Sequence, residues 1–577
     1  MKITVSFPFS KSQILKTTNF FRFLISLAVS IIGSIPLITA QNVSFSVDTK
    51  TKVVDAFVAP YNQIKPGDTI FLLSGKRDFL QIKNITGSFE RPVVIINKGG
   101  IVEISTNNHY GLSLQNCRFI HLTGQGDPDW FYGIKITHVE NGAGIGIGYM
   151  SSDYEIDHIS IENTPIGGIY AKTDPDCSFK ATREKFTQNN TVIHDNYIAN
   201  VGNEGLYVGS SKYSGQIINC NGKDTLVMPS TLNGVHIYNN IIKHTGWDGL
   251  QVSSATNNCH VYNNMVLFDS QAEVYGQMSG ILLGGGSKCD CYNNFISSGK
   301  GDGIESHGLA GYRIFNNIIV DAGRSFLPFD GSQMKHGIFV SDVSVQKDSS
   351  LYILFNDIIN PKSDGIRFQS VKGKNNLIAS NLIVNPGNYD FYENDNTFNK
   401  GQNAYIMFPD NSSNVVVKRN FLTRNIDNAR VSKTDFSPVI GSPLIDSAYS
   451  QTRGINFDFN YNSRPYGTSS DIGALEFSPD QPGIPGQNSS GNYPELKLYP
   501  NFVRSMLTIR FIENRSLESK LTIYTLQGNR VFQKKQPCIS GSQQEIRVPV
   551  DDLLPGIYLF VLSSGQSTLS GRFIKIN

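Results

Sequence analysis

The feature that most constrains this chain is a short motif, Asn followed by two apolar residues, that recurs along its middle. It stands at Asn196-Tyr-Ile, Asn240-Ile-Ile, Asn264-Met-Val, Asn294-Phe-Ile, Asn317-Ile-Ile, Asp357-Ile-Ile, Asn381-Leu-Ile and Asn420-Phe-Leu. The spacings are 44, 24, 30, 23, 40, 24 and 39 residues, which reads as a basic turn of about two dozen residues with loops inserted in some turns. A second motif keeps phase with the first: Glu204-Gly-Leu, Asp248-Gly-Leu, Ser279-Gly-Ile, Asp302-Gly-Ile, His336-Gly-Ile and Asp364-Gly-Ile. Each turn is therefore expected to be a strand, a sharp corner permitted by Gly, and another strand whose first apolar residue points inward. No single turn buries its own apolar face, so the stack is the folding unit. Asn at one repeated corner can run a ladder of amide hydrogen bonds up the stack. The fold class is all-β, a right-handed parallel β-helix followed by a small antiparallel β-sandwich.

The remainder of the 577 residues divides by composition. Lys2, Lys11, Lys16 and Arg22 precede an apolar run from Phe23 to Ile38 that ends at Thr39-Ala40, so 1–40 reads as a secretory signal peptide. That run is interrupted by Ser26, Ser30, Gly33, Ser34 and Pro36 and falls short of the ~20 apolar residues of a spanning helix. No later stretch is long and apolar enough to span a bilayer. The β-helix is assigned to 41–477 and a Pro/Gly/Ser linker to 478–494. Short alternating strands over 495–577 make the sandwich. A net charge of +2 argues against a nucleic-acid partner, which needs a concentrated basic face. Of seven cysteines, Cys177 and Cys220 flank an irregular insertion, and Cys259 and Cys289 occupy equivalent places in two turns, so these are the candidate disulfides.

Two stretches look familiar. Pro66-Gly-Asp-Thr-Ile-Phe-Leu-Leu-Ser-Gly, Gly87-Ser-Phe-Glu-Arg-Pro-Val-Val-Ile, Arg464-Pro-Tyr-Gly and Asp471-Ile-Gly-Ala-Leu-Glu476 resemble the first and last turns of bacterial right-handed parallel β-helix proteins with irregular turn lengths. Leu498-Tyr-Pro-Asn501, Ile523-Tyr-Thr-Leu-Gln-Gly528, Leu553, Gly556-Ile-Tyr558 and Phe573-Ile-Lys575 resemble, in order, the type A sorting domain of the type IX secretion system of Bacteroidetes. Phe502 stands where that family usually has a second Pro. The resemblance implies export through the type IX machinery to a secreted or outer-surface location, with the tail removed or used as an anchor and performing no chemistry.

Strand alternation from each Gly gives the candidate site. The outward column is Tyr170, Tyr207, Gln251, Leu282, Glu305, Phe339 and Arg367, and the column beside it contains Lys172, Ser253, His307 and Ser341. Rings can cover sugar faces while polar groups take hydroxyls, so Tyr170, Lys172, Tyr207, Gln251, Glu305 and Phe339 are the candidate contacts to an extracellular polysaccharide. The residue before each Gly places Glu204 ~5 Å from Asp248, and Asp248 ~10 Å from Asp302. Paired carboxylates at such separations suit glycoside hydrolysis; the same Asp-Gly pairs are also ordinary turn chemistry. A lyase needs a base and a cation, for which His307, Lys172 and Arg367 are candidates, with Asp302 and Glu305 as ligands for Ca²⁺. The catalytic candidates are thus Glu204, Asp248, Asp302, His307 and Arg367. A non-catalytic adhesin or spacer stays open as the other class, because one β-helix hosts many activities.

Overall fold

The computed structural model describes residues 43–327, 334–389, 402–409, 414–432, 435–477 and, apart from short breaks, 497–575. The expected signal peptide and linker lie outside the described residues. Parallel strands wind into three ladders. Two share the long strand Val93–Thr106 and count together as one 23-stranded sheet; the third is a 12-stranded sheet of short strands such as Leu206–Val208, Leu250–Val252 and Asp302–Ser306. Each turn contributes one strand to each wall, so the chain is a parallel β-helix whose core runs along its axis. In the short-strand sheet Ile169, Leu206, Leu250, Ile281, Ile304, Ile338 and Ile366 fall one above another in register. All are fully buried. No described helix is long and apolar enough to cross a membrane.

The asparagine ladder forms as expected, with one correction. The side-chain amide of each Asn donates to the Oδ1 of the next, from Asn196 through Asn240, Asn264, Asn294, Asn317, Asn356 and Asn381 to Asn420, at 2.8–3.1 Å. The same Oδ1 also accepts the backbone N–H of the residue below, as Asn317 does from Asn294 at 3.1 Å. Asn356, not Asp357, occupies the sixth rung, so the spacings there are 39 and 25. Every rung needs a group that accepts with one atom and donates with the other, which a carboxylate cannot do. Asp357 sits one place on, opposite Ile318 and Leu382, and takes the Ala474 amide at 3.0 Å.

The repeated glycines are also there for a different reason than a tight corner. Gly249, Gly280, Gly303, Gly337 and Gly365 do not adopt positive φ. A Cβ on Gly303 would stand 2.4 Å from Cγ2 of Ile319 and 2.5 Å from the Gly337 carbonyl, and Gly337 and Gly365 meet Ile358 and Ile383 in the same way. The prism is too narrow at that edge for any side chain, because a branched residue of another wall already fills it.

Both candidate disulfides are present, Cys177–Cys220 and Cys259–Cys289, and Cys117 and Cys291 are buried free thiols. The segment that closes the helix folds back on its outside. Asn293 and Asn316 donate to the carbonyls of Phe459 and Phe457, and a fully buried Arg464–Glu476 pair at 3.1 Å holds the final loop. Beyond it, a three-stranded antiparallel sheet and a five-stranded sheet, antiparallel except where Phe502–Val503 pairs parallel with Ser567–Lys575, enclose their own core of Leu507, Ile509, Ile523, Val548, Phe560 and Phe573. Tyr524 and Leu559 of this sandwich pack on Phe131 and Tyr132 of the helix body.

Replacing Asn294 by Asp removes the buried amide donations to Val261 O, Asn317 Oδ1 and, more weakly, Cys291 Sγ. We expect Asn294→Asp to cost about 2–3 kcal/mol in chemical denaturation. Asn257→Asp, in a parallel but exposed amide column, should stay within about 0.5 kcal/mol of wild type.

Candidate functional site

The short-strand sheet keeps both predicted columns in register. Tyr170 pairs with Tyr207, Tyr207 with Gln251, Gln251 with Leu282, Leu282 with Glu305, Glu305 with Phe339, and Phe339 with Arg367. Exposure divides the column into two patches. Tyr170 and Tyr207 are half-buried at one end, and Glu305, Phe339 and Arg367 at the other. Between them Gln251 is 3 % exposed with its amide on Ser253 Oγ at 3.2 Å, and Leu282 is 7 % exposed. Gln251 is therefore not the open contact that alternation alone suggested.

In the first patch the Tyr170 and Tyr207 rings meet edge to face at 5.4 Å, and Lys172 Nζ lies 4.7 Å above the Tyr207 ring. The Tyr170 hydroxyl donates to Glu204 Oε2 at 2.5 Å. Burial raises the Glu204 carboxyl, and the Tyr170 hydrogen bond offsets only part of that. One turn on, Asp248 is fully buried and neither oxygen has a well-formed hydrogen bond. Burial, then the charges of Glu305, Glu204 and Asp269, push it well above the ordinary carboxylate range, and the nearby Ser279 amide does little against them.

The second patch has the chemistry of a divided pair. Glu305 accepts from the Ser279 hydroxyl at 2.6 Å, and its Oε1 lies 2.6 Å from His307 Nε2. Burial opposes its ionisation, but the His307 and Ser279 hydrogen bonds and the charges of His307 and Lys335 outweigh it, so Glu305 is held below the usual range. Asp302, on the same strand, is 4 % exposed. Burial raises it to about 7; Lys335, 3.5 Å away, pulls it down, and Glu305 pushes it up. His307 is not a solvated surface residue: its other nitrogen bonds Ser341 Oγ. Arg367 stands apart, 3.1 Å from Asp364. His336, between them in the column, is buried and driven well below its normal range by burial and by Arg367 and Lys335. Its 3.3 Å contact with Asp364 is therefore no ion pair, and its Nδ1 accepts the Asp364 N–H at 3.2 Å.

Asp302 takes the His336 amide of the next turn, whereas Asp364 takes Asn388 and, three residues on in its own turn, Arg367. Ca²⁺ does not fit Asp302 and Glu305, because Lys335 and His307 already occupy the positions beside their oxygens. Sequence reasoning missed Lys335 and the buried Asp269, raised to about 6 by burial. Lys335 immediately precedes the His336 of the column, whereas Asp269 lies in an inserted loop with no repeat signal. A shallow cavity of ≈ 510 Å³ opens elsewhere, beside Phe268, Lys300 and Arg324. Its cations are already spent on Glu273 and on the Asn360 carbonyl.

Fold and site define an exported parallel β-helix protein. Residues 497–576 match the secretion system C-terminal sorting domain, so the chain is delivered outside the cell, to the medium or the surface, and its tail engages the type IX machinery. No curated protein matches the chain. Among solved structures it is similar to full-length tailspike protein 2 of Escherichia coli O157:H7 bacteriophage CAB120, at 10 % identity and a TM-score of 0.29, over 89 % of this chain and 65 % of the tailspike. It is also similar to the complex of XylC with xylose, at 9 % identity and a TM-score of 0.34, over 87 % of this chain and all of that one. The chain thus spans about two thirds of the tailspike's length. Likeness at these scores carries no argument about activity.

Asp302 contributes stability below the unfolded carboxylate range, and that contribution is lost as pH rises through about 7, because the folded state holds the extra proton. Asp302→Asn should therefore melt progressively higher than wild type as pH is raised across that window, with the difference closing at acid pH. Thermal scans at stepped pH read this directly.

Proposed function

We propose that this exported chain binds an extracellular polysaccharide along the short-strand sheet and hydrolyses its glycosidic bonds. The observation that carries the reading is the division of labour between two carboxyls on one strand. Asp302 keeps its proton up to about 7, while Glu305 is held ionised by His307 and Ser279. A neutral acid beside a carboxylate is what protonating a leaving oxygen and stabilising or attacking the anomeric carbon require. Lys335 and His307 position the pair. Phe339 beside Glu305, and the Tyr170–Tyr207 pair further along, offer ring faces to sugars. Arg367 and Lys172 supply polar contacts at the two ends. Burial opposes ionisation of both Asp248 and Glu204, which favours a neutral or weakly acidic chain over a strongly cationic one. The sorting tail supports a site of action outside the cell, and its type A motif order supports a source among the Bacteroidetes.

A non-catalytic adhesin is the second reading, favoured by the buried stretch at Gln251 and Leu282 that interrupts the open face. Incubating the mature protein with a panel of polysaccharides separates the two. We expect new reducing ends without the ultraviolet absorbance of an unsaturated uronic product, and a rate that falls as pH rises through about 7. Glu305→Gln and Asp302→Asn should each lower kcat by about 10²–10⁴ while leaving binding in place. Retention of a polysaccharide with no new ends would support the adhesin, and unsaturated products would make the protein a lyase.

A further inference from the structure

A second cluster of ligand-type side chains lies on a different wall from the hydrolytic pair. On three successive turns, His121 stands directly opposite Glu155, and Asp157 directly opposite His194, in strands Arg118–Thr123, Ser152–Asp157 and Thr187–His194. His121 Nε2 is 2.5 Å from Asp157 Oδ2. His194 Nε2 is 2.9 Å from Glu155 Oε1 and 3.8 Å from Asp157 Oδ2. Ligand atoms of His121, Glu155 and Asp157 all lie within 4.8 Å of one another. Around a four-coordinate ion with bonds near 2.0–2.2 Å, ligand atoms stand roughly 3.4 Å apart. The observed separations bracket that value.

The surroundings orient this set from behind. His194 Nδ1 is tied to Asp195 Oδ2 at 2.7 Å, which turns Nε2 toward Glu155 and Asp157. Its ring is clamped flat on Tyr238 at 4.5 Å. Asp157 Oδ1 takes the Thr123 hydroxyl at 2.5 Å and His158 Nδ1 at 2.6 Å, which leaves Oδ2 to face His121. His158 Nε2 is in turn 3.0 Å from the Gln125 amide nitrogen. A carboxylate on the far nitrogen of a ligating imidazole, and fixed partners on the idle oxygen of a ligating carboxylate, are the outer contacts that metal sites use. Asp157 is buried, whereas the side chains of His121 and Glu155 are 28 % and 42 % exposed, so the cluster is open to solvent on one side. We propose that His121, Glu155, Asp157 and His194 form a binding site for a zinc-class divalent transition-metal ion that clamps three successive turns. Two imidazole nitrogens with two carboxylate oxygens suit zinc and disfavour Mg²⁺ and Ca²⁺, which take all-oxygen shells.

The test uses the mature full-length protein, produced without a histidine tag, stripped with a chelator and titrated calorimetrically with ZnCl₂, MgCl₂ and CaCl₂ in separate runs. We expect one Zn²⁺ per chain with a dissociation constant of about 1 µM or tighter, no saturable heat from the other two ions, and a higher melting temperature in zinc. Glu155→Gln and His121→Ala, at the solvent-facing side of the cluster, should each weaken zinc binding about tenfold or more, read at a temperature where the metal-free variant is still folded. Should either variant lose stability without metal, the visible spectrum of the Co²⁺ form of the wild type decides: intense four-coordinate bands support the site, and their absence overturns it. Failure of Zn²⁺ to saturate by about 100 µM, or variants that bind as the wild type does, also overturns it.

Discussion

The asparagine ladder is the interaction on which the rest of this molecule depends. A stack of short parallel strands has no long helix or hairpin to fix its register, and each strand slips by one residue at the cost of turning every side chain over. The buried amides prevent this. Each Asn accepts from the turn below and donates to the turn above, and its second amide hydrogen caps a strand carbonyl, as Asn264 does on Ile237. Inserted loops of very different length then leave the walls undisturbed, because the ladder counts turns rather than residues.

Register fixed in this way makes the outer faces into addressable columns. On one wall it puts Glu305 over Leu282 and under Phe339, and brings Asp302 beneath Lys335. The two carboxyls are three residues apart on one strand but are driven in opposite directions, because one finds His307 and Ser279 and the other is sunk beside a single lysine. On another wall the same fixed register sets His121, Glu155, Asp157 and His194 opposite each other across three strands. A rigid scaffold with short strands holds such groups more precisely than loops of this length would.

Much of this is legible in the amino-acid sequence. The Asn and Gly columns and the inward aliphatic residues follow from motif spacing, the export tail from its resemblance to a sorting domain, and the two disulfides stood only as candidate pairings until the structure joined them. Three things are not legible there. Asn356 is hidden by Asp357, because the Ile-Ile pair directly follows the aspartate and only hydrogen-bond balance selects the amide one place before it. The glycines were read as corners, though what demands them is Ile319 or Ile383 arriving from another wall, a contact no local pattern encodes. The state of each carboxyl was also hidden. Asp248, Asp302 and Asp364 share one motif, yet the first has no good partner, the second has Lys335, and the third has Arg367 and Asn388. Lys335 and Asn388 come from irregular segments between the repeats, where periodicity says nothing; Arg367 lies in the repeat, but the alternation that places it does not encode its pairing with Asp364.

The central claim is that Asp302 is a protonated acid next to an ionised Glu305 near neutral pH. Infrared difference spectra between the wild type and Asp302→Asn test it most directly. At about pH 5.5 the wild type should show the carbonyl stretch of one extra protonated carboxyl, and by about pH 8.5 that band should be replaced by carboxylate bands, with its midpoint near 7. A carboxylate signal for Asp302 at both values would contradict the account, since the site would then hold two like charges and no acid.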